Sequence, residues 1–343
     1  MRVGILTGGG DCPGLNAVIR AVVRKGTMFY GDSVVGFFEG WRGVVENQNV
    51  ELDLDSIAGI IHRGGTILRT SRTNPRRIPG GLDHVRRTFE AERLDGLIAV
   101  GGDDTLGVAE WLFEQGLPVV GVPKTIDNDL SGTDLCFGFD TAVGIATEAV
   151  DRLHSTAEAH NRVMVVEVMG REAGWIATYA GIAGGADVVL IPEKPYVLDD
   201  VCELIKRRHA RGKYFSIVVV AEGARPVEGS EPVTQGAKLD AFGHPRLGGI
   251  GNTLAEQIEN KTGYETRVVI LGHTQRGGTP TAFDRVLATR YGVQAIDMVH
   301  HGEFGRMASL NGQQLTSVPL AEALGQNRKV DPSLYDLASV FFG

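Results

Sequence analysis

The chain is short of several things, and each shortage closes a possibility. It has no apolar run of ~18 residues or more, so it offers no membrane-spanning helix. Its opening residues, MRVGILTGGG, lack the apolar region and cleavage site of a secretory leader and read instead as a strand entering a loop. Cysteine is scarce. Cys12, Cys136 and Cys202 form neither a disulfide framework nor a CxxC metal site, which leaves a reduced, cytoplasmic setting as the expectation. Positive charge is outnumbered, 34 Lys and Arg against 42 Asp and Glu, for a formal charge of −8. That balance argues against a general nucleic-acid binder or an anionic-membrane binder. There is no internal repeat and no low-complexity tract.

Glycine is what the chain has in excess: 47 of 343 residues, about twice the usual share. No G-X-Y period accompanies it, so the glycines belong to tight turns or to places where backbone approaches a ligand. Short apolar strands are predicted at 3–7, 33–38, 96–100, 119–122, 162–168, 188–191, 216–221 and 266–271. Helical patterns fall between them at 16–27, 81–92, 105–115, 140–158, 175–184, 198–212 and 281–301. This alternation argues for an α/β fold with mainly parallel sheets and ligands at the carboxyl ends of strands. The length suits about two domains. One stretch, residues 224–251, is rich in Pro and Gly and reads as a long surface loop or lid.

Four loops carry the chemistry. TGGGDCPGLN follows the first strand and frees backbone N–H groups at a helix start, which favours phosphate, although a plain tight turn explains it as well. Cys12 within it reads as a small filler rather than an activated thiol. GGDDT places Asp103 and Asp104 after another glycine turn. One aspartate could cap the helix, but two together call for a neutralising cation such as Mg²⁺. PKTIDND packs Lys124, Thr125, Asp127 and Asp129 at a strand end, where a carboxylate can act as general base toward a hydroxyl and where Asx-turn chemistry is the bland alternative. RGGTILRTSRTNPRR concentrates Arg63, Arg69, Arg72, Arg76 and Arg77, forks suited to phosphate, in an otherwise acidic chain. VEVMGR, AEG, ETR and GHTQRGG then set Arg, Glu or His beside further strand ends.

Taken together and in this order, these motifs resemble the 6-phosphofructokinase family over essentially the whole chain. The resemblance implies a phosphofructokinase-like fold: two three-layer α/β domains with mainly parallel sheets and a cleft between them. Residues 1–138 plus about 275–322 would bind donor and metal, and about 139–274 plus the C-terminal tail would bind the sugar phosphate. It implies phosphorylation of the 1-hydroxyl of fructose 6-phosphate. Asp127 resembles the base, with Thr125 and Asp129 as flanking sugar contacts. Asp103 resembles the Mg²⁺ carboxylate. Met169, Gly170, Arg171 and Glu222 resemble further sugar contacts, and Arg162, Arg267, His273 and Arg276 resemble the residues that hold the substrate's phosphate. Gly10, Gly102 and Arg72 resemble donor-phosphate contacts. The equivalents of Arg162 and Arg267 reach in from an adjacent subunit in the family, which implies a homotetramer or homodimer with shared active sites.

Two residues depart from the ATP-using branch, which reads GGDGS or GGDGT and PGTIDND. Here Asp104 stands in place of a glycine that lets a nucleotide α-phosphate approach, and Lys124 adds a cation. That pair is the mark of pyrophosphate-dependent members, so diphosphate is the expected donor, Asp104, Lys124 and Arg72 serve with Asp127 in the chemistry, and the reaction is reversible, within glycolysis and gluconeogenesis. The family's effector pocket is matched at Arg20, Arg24, Arg211 and Lys213 but altered at His154 and Asp187, which implies weak allosteric control. The alternatives are an ATP-dependent 6-phosphofructokinase, an NAD-kinase-like or lipid-kinase-like enzyme, which would lack PKTIDND and GHTQRGG, and a non-catalytic sugar-phosphate sensor, which would lack Asp103 or Asp127.

Overall fold

The computed structural model describes residues 1–227, 234–239 and 245–343. In chain order the elements are β1 (Arg2–Thr7), α1 (Leu15–Lys25), β2 (Ser33–Phe37), α2 (Trp41–Glu46), β3 (Asn49–Leu52), α3 (Gly81–Glu92), β4 (Gly96–Gly101), α4 (Asp103–Glu114), β5 (Val119–Pro123) and α5 (Phe139–His160). They continue with β6 (Val163–Val168), α6 (Trp175–Ala183), β7 (Val188–Leu190), α7 (Leu198–Ala210), β8 (Ser216–Ala221), β9 (Thr234–Leu239), β10 (Pro245–Leu247), α8 (Ile250–Thr262) and β11 (Thr266–Ile270). The last are α9 (Ala282–His301), β12 (Arg306–Asn311), β13 (Gln314–Pro319), α10 (Leu320–Ala323) and α11 (Pro332–Ser339).

The chain divides into two compact units. Unit 1 holds Met1–Ile126, Leu130–Thr141 and Arg276–Asn327; unit 2 holds Asp127–Asp129, Ala142–Gln275 and Arg328–Gly343. Residues 127–129, expected in the first domain, group with unit 2. There the carbonyl of Asp129 accepts the N–H of Arg328 at 2.7 Å, tying the short segment to the C-terminal stretch.

Unit 1 is built on a seven-stranded sheet in the order β13-β12-β5-β4-β1-β2-β3. Its five central strands are parallel, and the edges pair antiparallel, β3 on β2 and β13 on β12. Leu6, Leu97, Ala99 and Val119 meet Val85, Phe89, Leu106 and Leu112 of α3 and α4 in one core. The alternate residues Val3, Ile5, Ile98 and Val100 are equally buried, as strands covered on both faces require. Helix α9 packs on β4 and β5, with α1 lying beside it. Unit 2 has a four-stranded parallel sheet, β11-β6-β8-β7. Val163, Val165, Val218 and Val220 pack on Val201, Ile205, Leu254 and Ile258 of α7 and α8, and α6 packs against β7 and β8.

The stretch at 224–251 differs from a plain loop. Strands β9 and β10 pair antiparallel within it, and α8 starts at Ile250. The start of α8 has a physical anchor. The Glu167 carboxylate in β6 accepts the N–H groups of Gly249 at 3.0 Å and of Gly251 at 2.8 Å, the donors that a helix N-terminus leaves over. Residues 228–233 and 240–244 of the stretch lie outside the described residues. Among the described residues, no helix is long and apolar enough to cross a membrane.

Candidate active site

In unit 1 the candidate donor residues gather at the carboxyl ends of β1, β4 and β5, which are neighbours in the sheet. The glycine loop after β1 is held from both sides. Gly8 N–H donates to the Val100 carbonyl at 2.9 Å, and Gly9 N–H to the Ser71 carbonyl at 3.3 Å. Thr70 Oγ1 donates to the Gly9 carbonyl at 2.6 Å. The arginine-bearing loop that carries Arg72 is therefore fastened to the glycine loop, and Arg72 itself is exposed. Asn16 secures the same loop lower down, donating to the Arg63 carbonyl at 3.1 Å and accepting the Ile67 N–H at 2.9 Å.

Side chains at Gly8 or Gly101 have no room, and one at Gly10 would have to displace the Arg276 guanidinium. A Cβ on Gly8 would lie 2.6 Å from Thr105 Oγ1, and one on Gly101 2.2 Å from Thr105 Cβ. A Cβ on Gly10 would lie 2.6 Å from Arg276 Nη1, whose guanidinium also donates to the Asp11 carbonyl at 3.3 Å. Arg276, expected among the sugar contacts, thus lies in unit 1 against the glycine loop. Thr105, the wedge between two loops, was legible only as the last letter of GGDDT.

Gly102, extended at φ −85°, is the residue that caps α4, and no side chain caps the helix. Asp103 and Asp104 lie inside the first turn, half-buried, so neither serves as the cap. Carboxylates there suit the positive end of the helix. Lys124 follows β5. Its N–H donates to the Gly101 carbonyl at 3.0 Å, its backbone pairs with Phe137, and its ammonium donates to the Gly10 carbonyl. It is only 3% exposed. A buried cation fixed to the backbone of a glycine loop is suited to anions, which compensate its desolvation. Cys12, in the same loop, is buried, and burial pushes its thiol up to about 12, as a filler residue requires.

In unit 2 a second set gathers at the carboxyl ends of β6 and β8. Asp127 and Asp129 belong to this unit and are buried. Met169, Gly170 and Arg171 follow β6, and Glu222 follows β8. Arg171 N–H donates to Glu222 Oε1 at 3.1 Å, and Glu222 N–H to the Val168 carbonyl at 2.8 Å. The crossing is tight: a Cβ on Gly223 would lie 2.0 Å from the Arg171 carbonyl oxygen, and Gly170 takes φ +143°. His273 lies beyond β11 in the single turn Gly272–Arg276 and is exposed.

Arg162 and Arg267 are elsewhere. Arg162 precedes β6, and Arg267 sits near the start of β11. The register Thr266↔Val163 sets them side by side at the amino end of the sheet. Glu265 bridges them, 2.8 Å from Arg162 and bonded also to Arg267, and the Arg162 guanidinium holds the Glu265 carboxyl below its ordinary range. Six strand residues, ~20 Å at 3.3 Å each, separate this pair from Met169–Arg171. Within one chain the pair lies at the opposite end of the sheet from the Met169–Arg171 loop. Glu265, read in the sequence only as a letter of ETR, is the residue that pairs them.

At the positions matched to an effector pocket, Asp187 accepts the Ile217 N–H at 2.8 Å and pairs with Arg208 at 2.9 Å, and burial raises its carboxyl. His154 Nε2 lies 2.7 Å from the Gly184 carbonyl oxygen. Both side chains are engaged with unit 2 itself. Among the described residues no group of three His, Cys, Asp or Glu is arranged to hold a metal.

Fold and loops define the class: an α/β protein whose strand-end loops hold glycine backbone, paired carboxylates and buried or fastened cations, the equipment of phosphate chemistry. The phosphofructokinase family model matches residues 2–299. The chain belongs to the phosphofructokinase family. It is 57% identical, over the full length of both chains, to a Streptomyces coelicolor protein named pyrophosphate–fructose 6-phosphate 1-phosphotransferase. It is 54% identical, again over both full lengths, to a Mycobacterium leprae protein named ATP-dependent 6-phosphofructokinase. Among solved structures, Pichia pastoris phosphofructokinase in the T-state matches with a TM-score of 0.84 and 32% identity, covering 99% of this chain; the chain spans 36% of the length of that one.

Proposed function

We propose that this protein is a pyrophosphate-dependent phosphofructokinase, a phosphotransferase that moves a phosphoryl group reversibly from diphosphate to the 1-hydroxyl of fructose 6-phosphate. The observation that carries the reading is Lys124: a buried ammonium bonded to the Gly10 carbonyl, beside a helix whose first turn carries Asp104. Asp104 sets a carboxylate where a nucleotide's α-phosphate would approach backbone, whereas diphosphate has no nucleoside to hold it and gains from a fixed cation. Asp127 accepts the proton of the sugar hydroxyl as its oxygen attacks phosphorus. The bond to the bridging oxygen breaks and phosphate leaves. Arg72 and Lys124 offset charge on the transferring group, since this chemistry rests on positioning and neutralisation.

Mg²⁺ fits the residues present. It takes one or two carboxylates and fills its shell from substrate phosphates and water, so Asp103, with no third protein ligand near it among the described residues, is a suitable holder. When bound, the ion neutralises donor charge. Thr125, Asp129, Met169, Gly170, Arg171, Glu222, His273 and Arg276 bind the sugar phosphate. Arg162 and Arg267 complete the site of a neighbouring subunit, a reading supported by their distance along the sheet from Arg171. The protein works as a homo-oligomer, a dimer or tetramer, and its three buried free cysteines suit the reducing cytoplasm.

The 54% identity to a protein named for ATP keeps the ATP-dependent reading as the rival. Steady-state assay of the purified protein with diphosphate and with MgATP separates them. Diphosphate is expected to give the larger kcat/KM by at least about a hundredfold, or about 2.7 kcal/mol. Equal or better turnover with MgATP sinks the proposal.

A further inference from the structure

Asp127, the proposed base, sits in a segment that does not hold itself in place. Asp127, Asn128 and Asp129 are buried and belong to neither helix nor strand. Asn128 takes φ +52°, a left-handed backbone that a non-glycine residue seldom adopts. A buried backbone outside regular structure must find its hydrogen-bond partners elsewhere in the fold. The Asp129 carbonyl finds one in the N–H of Arg328, at 2.7 Å.

Arg328 is held in turn by the stretch that follows the sugar loop. Its carbonyl accepts the Trp175 indole N–H at 3.1 Å, and its guanidinium lies over the Trp175 ring, 4.4 Å from the centroid. Trp175 opens α6, four residues after Arg171, and is buried. The next two residues repeat the fastening. Lys329 Nζ donates to the Glu172 carbonyl at 2.7 Å. Val330 N–H donates to Glu193 Oε1 at 3.1 Å, and the same carboxylate oxygen accepts the Gly174 N–H at 3.0 Å. Further on, Asp331 caps α11, and the Tyr335 hydroxyl of that helix donates to the Val189 carbonyl in β7 at 3.0 Å. Residues 328–330 therefore form a strap inside unit 2, bonded along the stretch 172–175 and, through one backbone N–H, to the segment that carries Asp127.

Resting on the reading of Asp127 as base and of Met169, Gly170 and Arg171 as sugar contacts, we propose that Trp175 and Arg328 are positioning residues for the reaction: they are the link through which the sugar loop fixes the base segment. Fructose 6-phosphate seated on the loop then also sets Asp127. The link runs from the Asp129 carbonyl to the Arg328 N–H, and from the Arg328 carbonyl to the indole that opens α6. Both residues act through Asp127.

Three variants and two measurements test it. Trp175→Phe keeps an aromatic ring and loses the indole N–H. Arg328→Met keeps the backbone bond to Asp129 and loses the planar cation, and Arg328→Lys puts a cation back over the ring. With diphosphate and fructose 6-phosphate, kcat is expected to fall by about tenfold to a hundredfold in Trp175→Phe and Arg328→Met, the scale on which a misplaced reacting group costs rate. The KM for diphosphate should stay within about twofold, and Arg328→Lys should recover most of the loss. The second measurement is amide hydrogen exchange with and without fructose 6-phosphate. In wild type the sugar should slow exchange at 127–130 and 328–330 together with 169–175; in Trp175→Phe and Arg328→Met it should slow only 169–175. A kcat within about twofold of wild type in both variants overturns the proposal. So does a lower kcat with the sugar-dependent slowing at 127–130 intact, which is what a merely structural pair would give. Failure of the underlying readings shows separately, as normal turnover in Asp127→Asn or as no slowing at 169–175 in wild type.

Discussion

The two ends of the unit 2 sheet are made differently. At the carboxyl end, loops after β6 and β8 are locked by short backbone contacts, with Arg171 tied to Glu222 and Gly223 pressed on the Arg171 carbonyl. At the amino end, Arg162 and Arg267 stand around one glutamate, with side chains 27% and 52% exposed. The first end is two loops held tightly against each other. The second is a pair of cations held in register and facing outward. A single chain that carries both ends owns two half-sites rather than one whole site, if the oligomer is as proposed.

The largest effect should come from the base. Asp127→Asn is expected to lower kcat by about a thousandfold, within the range of general base catalysis, while fructose 6-phosphate still binds in a calorimetric titration. Normal turnover would remove Asp127 from that role. Next, Arg162→Ala should raise the KM for fructose 6-phosphate by about tenfold to a hundredfold, the loss of a charge-assisted contact. Mixing two variants tests whether the two ends belong to one chain's site. Arg162→Ala and Glu222→Ala proteins, each impaired at one end, should regain activity when co-refolded, because one combined site has both ends intact. No regain would mean that each chain completes its own site.

A control from unit 1 shows whether such losses belong to substrate binding or to the fold. Asp284 is fully buried and accepts the Thr141 N–H at 2.8 Å and the Thr141 hydroxyl at 2.6 Å, yet burial dominates and pushes its carboxyl up to about 6. The folded protein then holds a proton that the unfolded chain has released, so stability falls as pH rises from about 4 to about 6 and stays level above. About two pH units correspond to about 3 kcal/mol. Asp284→Asn keeps an acceptor for Thr141 and should flatten that slope in urea midpoints without altering the substrate KM. The smallest effect expected is in Gly223→Ala, about 1–3 kcal/mol of stability from the clash with the Arg171 carbonyl, together with a weaker grip on the sugar. If the KM moves without any loss of stability, the loop is less rigid than the comparison holds.

Much of the fold is legible in the sequence. The continuous apolar runs that became β6 and β8 fit strands buried on both faces, and the glycine-rich letters after β1 and at the end of β4 marked the loops that the structure packs against Thr105. Elements lying at the sheet's edges were not legible. The β3 sequence NVEL is mostly exposed, and QLTSVP in β13 is half polar, so neither shows a buried period. Helix α8 was hidden because its N-terminus takes its partner from Glu167, more than eighty residues away. The same limit applies to the site. Residue type and loop order announced phosphate chemistry, but only register set Arg162 beside Arg267, and only packing shows Arg276 against the glycine loop.

Glu167 has a further consequence for the fold. The stretch after β8 leaves the sheet through a backbone pairing of Tyr196 with Pro226 and returns through the Glu167 clasp on Gly249 and Gly251. Both ends of the excursion are anchored to unit 2, so the register of β6, β8 and α8 is set by contacts outside it.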